Sequence, residues 1–178
     1  MDLEKLKYPI GKPQIPEIIT ETHISDWIAV LETFPIRLKN LVAHLSQEQL
    51  DTCYRRGGWT IRQVIHHVSD SHHNSYTRFK WTLTEEQPLI KAYYEDRWAE
   101  LFDSKAAPIE LSLNTIEALH AKWVYFLKAL SNEDLTQVFI HPEGQEKVSL
   151  NENIGIYAWH CNHHYEHINQ LMIRKNWK

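Results

Sequence analysis

Residues 151–174, NENIGIYAWHCNHHYEHINQLMIR, decide the fold. Ile154, Tyr157, Cys161, Ile168, Leu171 and Met172 recur along this stretch at helical spacing, so it reads as one long amphipathic helix. Its other mark is histidine, at His160, His163, His164 and His167. A helix advances ~3.6 residues per turn, which stands His160 and His164 one above the other on a single face. That is the spacing by which helical zinc proteases hold their ion in an H-x-x-x-H core. Cys161, Asn162 and His163 lie between the pair here, so the glutamate base of H-E-x-x-H is absent and that protease motif is excluded.

Three further helices can be read upstream. From a cap at Ser25, Trp27, Ile28, Leu31, Phe34, Leu38, Leu41, Val42 and Leu45 keep helical period, with Pro35 inside the run predicting a kink. After the loop Arg55-Arg56-Gly57-Gly58, Thr60 caps a helix running to about Leu83, whose apolar face carries Ile61, Val64, Ile65, Val68 and Phe79. Leu113, Ile116, Leu119, Trp123, Phe126, Leu127 and Leu130 give the third, starting near Ser112 or Asn114. A short extra helix is expected near 95–102. A small β-hairpin is expected where Val138–Ile140 and Lys147–Leu150 flank a glycine-containing turn. Pro9, Gly11, Pro13 and Pro16 make residues 1–20 an extended arm. The fold class is therefore all-α: a four-helix bundle in one domain spanning 1–178.

Composition narrows the function. The chain has 178 residues, 43% of them apolar and 24% charged, with a formal charge of -4 and no basic run to follow a phosphate backbone, so nucleic acid is not an expected partner. Nothing approaches the ~18–20 apolar residues of a membrane span, and Met1-Asp2-Leu3-Glu4-Lys5 lacks a signal-peptide layout. A cytoplasmic location is expected. Two cysteines, Cys53 and Cys161, provide no disulfide framework and no C-x-x-C motif.

Two histidines leave a divalent ion short of the three protein ligands usual in an open zinc site. The second cluster, His66, His67, His72 and His73, is the natural donor of a third. By helical rotation His67 lies nearer the apolar stripe than His66, which is expected to face solvent. His72 falls almost centrally on that stripe, either as a fourth ligand or as a hydrogen-bonded core histidine. His167 lies close to the face of His160 and His164, where it would support a ligand. An isolated H-x-x-x-H is more often a pair of ordinary core or surface histidines; a second cluster on another helix shifts the balance toward a metal.

The chain resembles the DinB-like superfamily and, within it, the YfiT family of metal-dependent hydrolases, an activity name itself inferred from the site. The resemblance runs from Tyr8-Pro9-Ile10-Gly11 to Trp177. It rests on Asp51-Thr52 with Tyr54-Arg55, Gly57-Gly58-Trp59-Thr60, Arg62-Gln63-Val64, His66-His67, Asp70-Ser71-His72, Asn74-Ser75-Tyr76, Arg78-Phe79-Lys80, and Tyr157 with Trp159-His160 and His163-His164. It implies a four-helix bundle with an open three-histidine site and, residue by residue, the ligands His67, His160 and His164. It also implies one divalent metal per chain, zinc first and nickel as the alternative, a homodimer, and kinship to bacillithiol S-transferases.

Two enzymatic readings follow: hydrolysis of a small-molecule ester or amide by an activated water, or transfer of an activated low-molecular-weight thiol to an electrophile. Asp70 and Glu166 are the carboxylates nearest the ligands in sequence, and neither falls on an obviously inward face, which tilts the expectation toward thiol chemistry. Arg55, Arg56, Arg62, Arg78 and Lys80 are candidate cationic partners for a co-substrate, although each alone is more often part of a solvated face. Trp59 and Trp159 could wall a pocket, and Cys161 reads as a small buried apolar residue rather than a nucleophile. The non-enzymatic alternative is a stress-response module with a structural metal, which would call for a fourth ligand such as His72.

Overall fold

The computed structural model describes residues 2–177. In chain order they form α1 (Leu3–Lys7), α2 (Glu21–Val42), α3 (Gln47–Leu50), α4 (Ile61–Thr82), α5 (Glu95–Ala99), α6 (Phe102–Ala106), α7 (Ile109–Leu127), α8 (Asn132–Thr136), β1 (Val138–His141), β2 (Glu146–Ser149) and α9 (Leu150–Lys175). The four long helices α2, α4, α7 and α9 make the bundle. Helix α2 packs on α7 and α9, and so does α4. The consecutive long helices α2 and α4 thus sit across a diagonal, unlike an up-down-up-down bundle in which sequence neighbours touch. Residues 43–60 carry the chain across. The hairpin β1–β2, paired antiparallel with Phe139 opposite Val148, spans part of the second crossing from α7 to α9.

Leu31, Phe34 and Leu38 of α2, Ile61, Ile65 and Val68 of α4, Ile116 and Trp123 of α7, and Ile154 and Ile168 of α9 are essentially fully buried. Each such aliphatic side chain contributes roughly 1.5–3 kcal/mol of burial free energy. Helix starts follow their caps. Thr60 accepts from the Gln63 N–H while the Gln63 side chain accepts from the Thr60 N–H, a reciprocal box that begins α4 one residue later, as the sequence predicts.

Some boundaries differ from expectation. Helix α2 begins at Glu21 because Thr20 and His23 form the box, four residues ahead of Ser25. Helix α7 begins at Ile109, after Pro108, three residues before Ser112. The predicted short helix is two, α5 and α6. The N-terminal arm is not extended throughout: Leu3–Lys7 turn helically behind an Asp2 cap, since the prolines start only at Pro9. Among the described residues no helix is long and apolar enough to cross a membrane.

Candidate metal centre

Helices α4 and α9 are neighbours, and their histidines meet between them. His67 comes from α4; His160 and His164 come from α9. The Nε2 atoms of His67 and His160 are 3.3 Å apart, and those of His164 and His160 are 3.2 Å apart. Burial drives the imidazoles toward the neutral form. His67 is lowered to about 3, by desolvation first and then by His167, and both His160 and His164 are held well below the usual histidine value, again chiefly by desolvation.

The proton positions on two of the three follow from hydrogen-bond logic. A backbone carbonyl can only accept, so His120 Nδ1, 2.6 Å from the Leu31 oxygen, carries a hydrogen. Neutral His120 then presents a bare Nε2, and His72 Nδ1 donates to it at 2.7 Å. His72 Nε2 is bare in turn and accepts from His160 Nδ1 at 3.0 Å. His160 is left with an unprotonated Nε2 facing the triad. A second, shorter chain does the same for His164. His167 Nε2 donates to the Lys7 carbonyl at 2.9 Å, its bare Nδ1 faces His164 Nδ1 at 3.4 Å, and the His164 Nε2 lone pair turns inward. Such partners orient ligating imidazoles and fix their tautomer.

Two bare nitrogens 3.2 Å apart repel unless a cation lies between them. A tetrahedral ion with bonds of about 2.0–2.1 Å to nitrogen separates its ligand atoms by about 3.3–3.4 Å, which is the spacing found here. The residues therefore fit a zinc-like ion in size, charge and donor type. A second cluster, His72, His120 and Cys161, does not fit: its nitrogens approach to 2.7 Å, a hydrogen-bond distance too short for two ligands of one tetrahedral ion. Both ring nitrogens of His72 are occupied, so it supports His160 rather than serving as a fourth ligand. Cys161 is fully buried, and desolvation pushes its thiol well up, away from nucleophilic use.

The Leu31 carbonyl is available because of Pro35. In an uninterrupted helix residue 35 would donate its N–H to the carbonyl four residues back, and proline has no N–H. The proline in α2 thereby frees the acceptor that ends the longer chain of histidines.

The triad opens on a cavity of about 600 Å³, within the range of small-molecule sites. Trp59 and Trp159 wall it, the former with its ring centre 4.5 Å from that of His67. The turn that delivers Trp59 uses Gly57 in the left-handed region, at φ 66. Lys7 and Tyr8 of the arm close one side.

The fold and the site place the chain among known proteins. The DinB superfamily model matches residues 31–168. The chain belongs to the DinB superfamily. Within that superfamily it is 53% identical over 171 residues to a protein of Oceanobacillus iheyensis named a “putative metal-dependent hydrolase”, covering 96% of this chain and 98% of the relative. A Bacillus cereus protein of the same name is 51% identical over 176 residues, covering 98% and 100%. Among solved structures, YfiT from Bacillus subtilis, described as a probable metal-dependent hydrolase with an unusual four-helix bundle topology, superposes with a TM-score of 0.96 at 45% identity, over 98% of this chain and 99% of YfiT.

Several side chains lie where helical rotation and sequence spacing alone did not put them. His66 does not face solvent: it is buried under the α6–α7 connection, with Nδ1 2.7 Å from Ser112 Oγ and Nε2 donating to the Ala107 carbonyl at 3.2 Å. Asp70 stays outside the cavity; burial, and Asp103 second, raise its carboxyl to about 6. The cavity nevertheless has carboxylates, Glu95 and Asp96 from α5 and Glu143 from the hairpin turn. All three are distant in sequence from the ligands, which is why spacing along the metal helices could not find them. Of the five basic candidates, Arg62 is tied to Asp51, Gln47 and the Ala107 carbonyl, Arg56 and Lys80 are exposed, and Arg55 and Arg78 reach the cavity.

Proposed function

We propose that His67, His160 and His164 hold one divalent ion, zinc by preference, and that the chain is a metal-dependent hydrolase of a small molecule. The observation that carries the reading is the 3.2 Å approach of the His160 and His164 Nε2 atoms, which the hydrogen-bond chains behind both rings leave without protons. An ion held there would supply Lewis acidity, able to activate a water and polarise a carbonyl. Nickel with six ligands is less favoured, since the nitrogen spacing suits a tetrahedral set. The relatives' names agree with hydrolysis.

The chain's own groups have distinct tasks. Glu95, Asp96 and Glu143 offer proton acceptors at the cavity wall. Tyr157 donates its hydroxyl to the Ser71 carbonyl at 3.2 Å, holding the α4–α9 seam beside the triad. Trp59 and Trp159 exclude bulk water and offer flat apolar faces to the substrate.

A second reading, transfer of a small thiol such as bacillithiol to an electrophile, is favoured by one observation: the compact group of possible ligands at the triad contains no carboxylate. A thiol needs less help from a base than water does. The zinc-loaded protein should be offered chromogenic esters and anilides, and separately a thiol-reactive bimane with bacillithiol or cysteine. Zinc-dependent, thiol-independent ester or anilide cleavage supports the hydrolase; turnover only with the thiol overturns it in favour of the transferase.

A further inference from the structure

The cavity contains a cation that the triad does not explain. Arg78 of α4 is 9% exposed and lines the cavity. Its backbone carbonyl accepts from Thr82, yet its guanidinium makes no hydrogen bond or ion pair with any described residue. Arg62 shows what a structural arginine looks like in this fold: 5% exposed, 2.7 Å from Asp51 Oδ1, 2.6 Å from Gln47 Oε1 and 2.9 Å from the Ala107 carbonyl. A guanidinium cannot shed its proton to relieve burial. The Arg78 guanidinium nitrogens keep contact with the cavity's solvent and meet no acceptor from the described residues, the cavity carboxylates included, so a bound molecule can supply one.

Position and charge say what arrives. His67, Ser71, Ser75 and Arg78 follow one another on α4 at steps of four, four and three, so they share a face. Helical side chains lean toward the N-terminus, which carries the Arg78 head back toward Ser71 and the triad. The ionisable wall is balanced, Lys7, Arg55 and Arg78 against Glu95, Asp96 and Glu143, and none of the three carboxylates pairs with Arg78. A phosphate dianion would meet those carboxylates unfavourably. A carboxylate monoanion carries one charge and matches the planar fork with two parallel hydrogen bonds.

We propose that Arg78 receives a carboxylate on the small molecule that occupies this cavity, the molecule's reactive end lying at His67, His160 and His164. Only the placement of the reactive end rests on the metal reading above.

The test uses ω-mercaptoalkanoates of three to eight carbons and their matching amides, titrated calorimetrically into the zinc-loaded full-length protein. At the chain length that spans the two sites, the carboxylate should bind about tenfold or more tightly than the amide. Arg78→Gln should abolish that preference without changing zinc stoichiometry, and Arg78→Lys should keep part of it. Melting temperature separates a binding role from a structural one: Arg78→Gln should melt at or above the wild type, whereas a fall of several degrees would mark Arg78 as structural. Equal binding of acid and amide at every length, or a preference that survives Arg78→Gln, overturns the proposal. Hexanoate against hexanamide in the metal-free protein decides the matter independently. An Arg78-dependent preference there, in a protein that fails to retain zinc, would sink the metal reading and leave the carboxylate site standing; no preference there overturns the site.

Discussion

His72 Nε2 lies 3.0 Å from His160 Nδ1, and through this contact a histidine of the α9 triad face is tied to α4, then by His120 to α7, and finally by the Leu31 carbonyl to α2. All four long helices contribute one link. Because each inner imidazole is neutral and has one donor and one acceptor, the direction of every hydrogen bond is dictated by the carbonyl at the end. The bundle thus sets the His160 tautomer through its own hydrogen bonds.

Replacing His120 by leucine should weaken zinc binding more than its distance from the triad suggests. His72 would lose its acceptor and could hold its Nδ1 proton only unsatisfied, or shift it to Nε2 and oppose the His160 proton. Zinc affinity, measured by competition with a chelator, should fall on the order of 10–100-fold. Stability should fall by about 1–3 kcal/mol from the orphaned Leu31 carbonyl. Nitrogen NMR should show the Nδ1–H form of His160 depleted. Unchanged affinity together with an unchanged tautomer would exclude the relay.

Pro35→Ala should move stability and metal affinity in opposite directions. Proline within a helix is unfavourable by ~3 kcal/mol relative to alanine, so the variant's melting temperature should rise. The backbone N–H restored at position 35 would compete with His120 for the Leu31 oxygen, and zinc affinity should drop, by less than in His120→Leu because a carbonyl has two lone pairs. A rise in both quantities would count against the role assigned to the proline.

How much of this could be read from sequence depends on the range of the signal. The i, i+4 pair His160–His164 is a local pattern, and helical period alone specified it. His67 needed the further step of choosing a face, and that step misplaced His66, because whether a polar flank is covered depends on a distant segment, here α6 and the start of α7. The link between Pro35 and His120 is legible only once both ends are seen, since 85 residues separate them. Arg78 was one of five indistinguishable basic residues in sequence. What sets it apart is a missing partner, and a missing partner is a property of three-dimensional packing.

His160→Ala removes the residue shared by both short nitrogen contacts of the triad. Two remaining imidazoles make a poor site for a divalent ion. Elemental analysis after gel filtration should fall from one metal per chain to a small fraction of that. One full equivalent retained would remove His160 from the ligand set.

The metal-free protein should unfold on mild acidification. His67 and His120 are lowered to about 3 and about 4, in both cases chiefly by desolvation, while the unfolded chain titrates near the ordinary histidine value of 6.5. Between those values the unfolded state binds protons that the folded state refuses, so stability is full above about pH 6.5 and declines as pH drops toward the folded values. Each such group removes about 1.4 kcal/mol per pH unit once well below that value, so these two remove roughly 2.7 kcal/mol per unit. His72, His160 and His164 act in the same direction. Asp70, with its carboxyl raised, works the other way as a single group. Against a domain stability of about 5–15 kcal/mol, the midpoint by circular dichroism should fall between about pH 4 and 6. Zinc at saturating concentration should move it lower, because an ion held by the preformed triad favours the folded state. A metal-free protein that stays folded to about pH 3 would mean that these histidines are not held neutral, and the tautomer assignment at His160 and His164 would fall with it.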